Sequence, residues 1–453
     1  MDAADLESRA LTFSGWIPPE LVSLLVERGR LDEVALQARG GDWFCARAWV
    51  AALAGEDRRE EALAALAPFT ATGWWRAVET EAGLLERWGR PEEAALRVRP
   101  HVEQGHTPAV AFLARLLVRQ GRGGEAFDLL RPHVEDWSLA EALVEVTAGL
   151  GRDEEVAALL ADRVEAAGRC DGPCDCRPVT PWNAVDLLAA VRERQGRTDE
   201  AIALLHTRTT TSVDDRDQLA ELLARHGRIG ELRAYAETDS HGHAAQCLAE
   251  LLEERGDPDG AAAVYRRHAE EHGPSGNSLG LLARLLVRHG RVDEAIEAVR
   301  SRVDRPGGGT DEWAVDTLCR LYADHGRAEE GLTHLDALEP HLGSEDVEPL
   351  RLRLRLLVAA GQVDRAVDAA RAHPAGGSGH GASHLARLLA DAGRPEAAVA
   401  YLEQCRSVIP ADLARHLVEV GRIEDALVAV RRPAPRTFPP FGGDSRPADE
   451  SPF

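Results

Sequence analysis

The chain has 453 residues, 44% apolar, 28% charged and 5% aromatic, a composition that packs and excludes a wholly disordered protein. At roughly 100–200 residues per domain, this length predicts two to four globular domains or one repeat array. There is no lysine; all 53 basic residues are arginine, against 76 acidic residues and a net charge of −23, which excludes P-loop, Schiff-base and kinase lysine chemistry and argues against general nucleic-acid binding.

No apolar run approaches the roughly 20 residues that span a bilayer, and the first residues lack a basic and apolar leader. We therefore expect a cytoplasmic protein with no membrane partner and no nucleic-acid partner. The seven cysteines, Cys45, Cys170, Cys174, Cys176, Cys247, Cys319 and Cys405, are odd in number and mostly isolated, as reduced thiols are.

From about residue 16 one phrase recurs: an apolar run, Gly-Arg, an acidic pair, then Ala. It stands as LARLLVRQGRGGEAF at 113–127, LARLLVRHGRVDEAI at 282–296 and LARLLADAGRPEAAV at 385–399. Its glycines are Gly29, Gly55, Gly89, Gly121, Gly151, Gly196, Gly227, Gly256, Gly290, Gly326, Gly361, Gly393 and Gly421, spaced by about 33 residues on average. Three segments interrupt the array: the insertion 168–181, a glycine-rich connector at 373–382 expected to be flexible, and a Pro-rich tail, 432–453, expected to be disordered. The expected division is 1–167 N-terminal repeats, 168–181 insertion, 182–431 C-terminal repeats and 432–453 tail.

One unit is readable physically. Leu279, Leu282, Ala283 and Leu286 share a helical face. Gly290 ends that helix in the left-handed region. Asp293 and Glu294 begin the next, where carboxylates suit the helix dipole, and Ala283 and Ala295 let the two helices approach. The same small pairs recur as Ala114/Ala126, Ala189/Ala201, Ala249/Ala261, Ala386/Ala398 and Ala414/Ala426. A helix pair every 33–34 residues with small residues seven before and five after the turn glycine resembles the tetratricopeptide (TPR) repeat family. Departures are Ala for the family's usual Gly in the first helix, Leu usually for its Tyr, and a mostly missing closing Pro. The resemblance implies an all-α, right-handed superhelical solenoid of about thirteen antiparallel helix pairs.

Candidate chemistry follows the chain. Trp75, Trp137 and Trp182 lie fourteen residues before their glycines and Trp313 thirteen before, placing each in the first turn of a first helix as a packing anchor or a groove aromatic. Cys170, Cys174 and Cys176 sit within seven residues, open to metal ligation, to thiol redox chemistry, or to no partner at all. His268 to His272 spell H-x-x-E-H and Gly276 to Gly280 spell G-x-S-x-G, but the first ends a helix and the second follows a loop with no strand, so Ser278 is expected to cap a helix. His241/His243 and His380/His384 are expected as exposed loop residues.

The position six residues before each glycine lies about 100° from the small core residue. It is Arg115 early, then Glu145, Glu221 and Glu250, and Arg284, Arg320, Arg355, Arg387 and Arg415 in the last five repeats. The TPR resemblance implies that this position faces a concave groove. Guanidinium groups bind carboxylates bidentately, so the expected ligand is an acidic peptide or a chain terminus; a solvated helix face is the competing account. The expected function is a protein- or peptide-binding scaffold that is not an enzyme and holds no cofactor. The alternatives are a ligand-gated regulatory solenoid sensing a small peptide, and a metalloprotein using the cysteine loop.

Overall fold

A computed structural model describes residues 2–167, 181–207, 212–213, 216–272, 277–305, 311–338, 347–405 and 407–431. The chain is all-α. Among the described residues a first helix, Ala3–Thr12, precedes thirteen helix pairs, from Pro19–Glu27 with Leu31–Arg39 through Pro410–Glu419 with Ile423–Arg431. Among the described residues the sole strand pairing is a two-residue antiparallel bridge, Ser212–Val213 with Arg216–Asp217. The insertion 168–180 and the tail 432–453 lie outside the described residues.

The turns form as the repeated phrase requires. At Gly290 (φ 73) the Arg291 N–H reaches back to the Leu286 carbonyl at 2.8 Å, closing the helix end with a bond that a left-handed residue permits. Gly55 is an exception to the predicted register. It is the last residue of helix Trp43–Gly55, and Asp57 (φ 59) takes the left-handed position instead. The Arg58 N–H then bonds the Leu53 carbonyl at 2.9 Å. Aspartate tolerates that conformation better than most residues, so the turn moves two residues without changing type.

The arginine after the glycine has a local task. Arg90 bonds Glu93, Arg122 bonds Glu125 and Arg291 bonds Glu294, each at 2.6–2.8 Å and three residues on. Arg228 and Arg291 also reach back to Asp199 and Asp259 of the preceding repeat, at 2.7 and 2.6 Å. Gly-Arg-x-x-Glu is therefore a turn clasp. The predicted small pairs are buried: Ala114/Ala126, Ala283/Ala295, Ala386/Ala398 and Ala414/Ala426 are each at most 2% exposed, so the helices meet there without side-chain bulk.

Contacts divide the chain into two compact units. Unit 1 holds the residues up to Ser8 with Val50–His325; unit 2 holds Arg9–Trp49 with the chain from Gly326 onward. Unit 2 is thus built from both ends of the sequence. Its helix Pro19–Glu27 packs against helix Pro410–Glu419. Arg28 donates to the Glu419 carbonyl at 3.3 Å, and Arg431 donates to the Gln37 amide oxygen. The first repeat so covers the face that the last repeat would otherwise expose.

The connector at 373–382 is structured rather than flexible. Ser378 caps helix Gly379–Asp391, and Tyr401 donates to the Gly376 carbonyl at 3.0 Å. A Cβ at Gly376 would fall 1.7 Å from the Ala370 carbonyl oxygen, so only glycine fits that approach.

Candidate functional site: two cavities lined by the first helices

On a first helix the residues 13, 10 or 9, 6, and 3 or 2 positions before the turn glycine fall on one stripe, with i, i+3/4, i+7 and i+11 spacing. The buried stripe is used for packing. This second stripe lines two cavities, one in each unit.

In unit 1, helices Ser278–Arg288 and Glu312–Asp324 wall a cavity of about 500 Å³. Its apolar part is Gly280, Ala283, Val287, Trp313 and Leu321; its charged part is Arg284, Arg288, Arg320 and Asp324. Arg284 is exposed and forms no ion pair among the described residues. Arg320 has Asp316 four residues away on its own helix, at a loose 3.9 Å. Arg288 is committed to structure. It bonds Glu253 of the preceding repeat at 2.6 Å, with His289 on the same carboxylate at 2.9 Å. These bonds, Arg288 first, hold Glu253 below the usual carboxylate range. Arg119 with Glu86 and Arg225 with Glu193 repeat the device.

In unit 2, helices Val347–Ala359, Gly379–Asp391 and Pro410–Glu419 wall a cavity of about 740 Å³. Arg351, Arg387 and Arg415 line it with His380, His384, His416, Asp391, Asp412 and Glu419. His384 is 5% exposed, not the loop histidine expected. Its Nε2 faces the Arg351 carbonyl at 3.2 Å, and its Nδ1 faces an Arg387 guanidinium N–H at 3.3 Å. The arginine can only donate, so Nδ1 accepts and Nε2 carries the hydrogen. Burial, and then the Arg351, Arg387 and Arg355 charges, push the His384 pKa down to about 4. His416, also buried, bonds Glu419 at 2.8 Å. A narrower groove of about 390 Å³ lies between helices Pro19–Glu27 and Pro410–Glu419, sharing Arg415 and Glu419 with the larger cavity. There Ser23, six before Gly29, holds the place that arginine holds in the last repeats.

The five predicted arginines therefore fall two in unit 1 and three in unit 2. Arg355 is half-buried and bears on the larger cavity through its charge on His384. The predicted glutamates are engaged locally. Glu145 pairs with Arg115 at 2.8 Å, Glu221 lies 3.6 Å from Arg225, and Glu250 accepts from Gln246 at 2.8 Å. The Arg115–Glu145 pair brings the same position of successive repeats side by side.

Trp313 and Trp137 are 39% and 37% exposed. Trp75 instead packs against His101, His106 and Phe112. Ser278 does not cap its helix; its Oγ lies 2.9 Å from His268 Nδ1, and His268 Nε2 lies 2.9 Å from the Asp239 carbonyl. Both side chains are at most 3% exposed, which makes the pair an internal hydrogen-bond relay holding that helix end. Cys170, Cys174 and Cys176 lie outside the described residues. Among the described residues Cys45, Cys247, Cys319 and Cys405 form no disulfide, and burial pushes Cys247 up to about 12. Among the described residues no group of three His, Cys, Asp or Glu side chains is placed to hold a metal ion, and no helix is long and apolar enough to cross a membrane.

His380 and His384, expected in a loop, stand on helix Gly379–Asp391, and following one position per repeat overlooks His416, Asp391, Asp412 and Glu419. The signal was present: His380, His384, Arg387 and Asp391 are spaced four, three and four residues apart, a helical stripe adjoining the core stripe. No protein-family model matches the chain, and no curated protein matches it. Among solved structures it is similar to Naa15/Naa10 bound to HypK-THB, with a TM-score of 0.26 and 13% identity, over 85% of this chain and 67% of that one.

Proposed function

We propose that the chain is a helical-repeat scaffold that binds a protein or peptide partner, and that its groove stripe takes an acidic peptide segment or chain terminus. The observation that carries this is the placement of Arg284 and Arg320. Most arginines near them are spent on turn clasps and inter-repeat pairs, whereas these two line a cavity beside an exposed tryptophan. In a chain of net charge −23, cations retained on a concave apolar wall favour an anionic partner. Arg387 and Arg415 hold the same register in unit 2, and Arg355 completes the set. Catalysis has no part in this proposal.

The test is affinity capture from the native host with the wild-type chain and with Arg284, Arg320, Arg355, Arg387 and Arg415 changed to Glu. A partner captured by the wild type and lost by the variant, with helicity unchanged, supports the proposal. Capture that is indifferent to the reversal overturns the groove. A second reading, a regulatory solenoid sensing a small peptide, is favoured by the unit 2 cavity, whose arginines and carboxylates together suit a ligand carrying both charges.

A further inference from the structure

We infer that the unit 1 cavity is an anchor site for one aromatic side chain set between acidic residues of an extended peptide. The inference rests on the groove proposal and names the class of segment it takes. Three observations carry it. The first is the wall. Gly280 lacks the Cβ that would lie 2.7 Å from Trp313 Cζ2, so the indole can rest against helix Ser278–Arg288 while staying 39% exposed. The second is the floor. Ala283 is small and buried, and Val287 and Leu321 add apolar lining to the same cavity as the indole. An indole face presented this way suits offset or edge-on packing of another ring, and a volume of about 500 Å³ lies within the usual range of ligand pockets, roughly 300–1,000 Å³.

The third observation is charge. Glu253 neutralises Arg288, and Asp324 is the one carboxylate among the described lining residues. Arg284 and Arg320 are left to face the occupant, so the residues flanking the ring must be acidic. The unit 2 cavity has arginines at the same register but no Phe, Tyr or Trp in its lining, which instead carries His380, His384 and His416, so it does not share the specificity.

The probe is a fluorescein-labelled, amidated ten-residue peptide of alternating glutamate and serine with one central phenylalanine, beside the same peptide with central alanine, both followed by anisotropy. Burying the ring predicts that the phenylalanine peptide binds at least about tenfold tighter. Gly280→Ala, which pushes Trp313 aside, and Trp313→Leu, which leaves the first helix untouched, should each cut that preference to about threefold or less while helicity is retained. Arg284→Glu with Arg320→Glu should weaken both peptides together. Equal affinity of the two peptides for the wild type overturns the anchor and leaves the arginine groove standing. Absence of binding by either peptide at millimolar concentration overturns both. Concentration-dependent self-association lost in Trp313→Leu assigns the cavity to a second copy of this chain and overturns the peptide occupant.

Discussion

The two cavities are lined by the same stripe of the first helices and differ in chemistry. In unit 1 the stripe reads Gly280, Arg284 and Trp313, Arg320; in unit 2 it reads His384, Arg387 and Asp412, Arg415. The packing stripes beneath them match, with Ala283 and Ala386 both buried. A repeat fixes where a position points, because its core side must stack on its neighbours. It leaves the groove side free to vary, because those residues bear little packing. The first comparison is thus between one cavity with an aromatic anchor and one with a buried neutral histidine.

The largest expected effect separates them by pH. The unfolded chain protonates His384 near the ordinary value of about 6.5, whereas the folded one does so only near 4. The folded state therefore keeps this contribution above about pH 6.5 and loses it as pH falls towards 4, by on the order of 2–3 kcal/mol. Urea unfolding at pH 7 and pH 4.5 should show a steeper loss for the wild type than for His384→Gln. An identical loss would place the histidine in contact with water.

Next comes the shared layer. Ala283→Leu and Ala386→Leu should each cost about 1–3 kcal/mol, by overpacking the close approach of the paired helices. Equal costs by chemical denaturation would show that the units differ only at the groove. A cost in one alone would break the comparison at the core.

Charge reversal sharpens it further. Arg284→Glu with Arg320→Glu should weaken an aromatic acidic peptide by about tenfold, roughly 1.4 kcal/mol, whereas Arg387→Glu with Arg415→Glu should change it by less than threefold. The reverse order would move the peptide site to unit 2. The smallest effect belongs to a position that already has its partner. Arg115→Ala removes the exposed pair with Glu145 and should alter stability by only about 0–1 kcal/mol, with that remainder fading as salt is added.

Much of the fold was legible because each local signal is complete within one repeat. The turn glycines, the small pairs and the helical spacing lie within about 33 residues of one another, so the all-α helix-pair architecture follows from the chain alone. The Gly55 register was misplaced because Asp57 can adopt the same conformation without announcing it. The arginine register was legible too, but its meaning was not, since the same residue type also makes the turn clasps.

The repeating unit is local to the chain: where helices start, stop and bury their small residues. Which repeats meet, and what fills the space between them, is settled by tertiary packing. The docking of Pro19–Glu27 on Pro410–Glu419 joins residues almost 400 positions apart, and no local pattern distinguishes that interface from one between consecutive repeats. The indole of Trp313 resting over Gly280 and the burial of His384 beside Arg387 are likewise set by neighbouring helices. A periodic sequence specifies the face a residue occupies. The partner across the gap is fixed only when the stack is assembled.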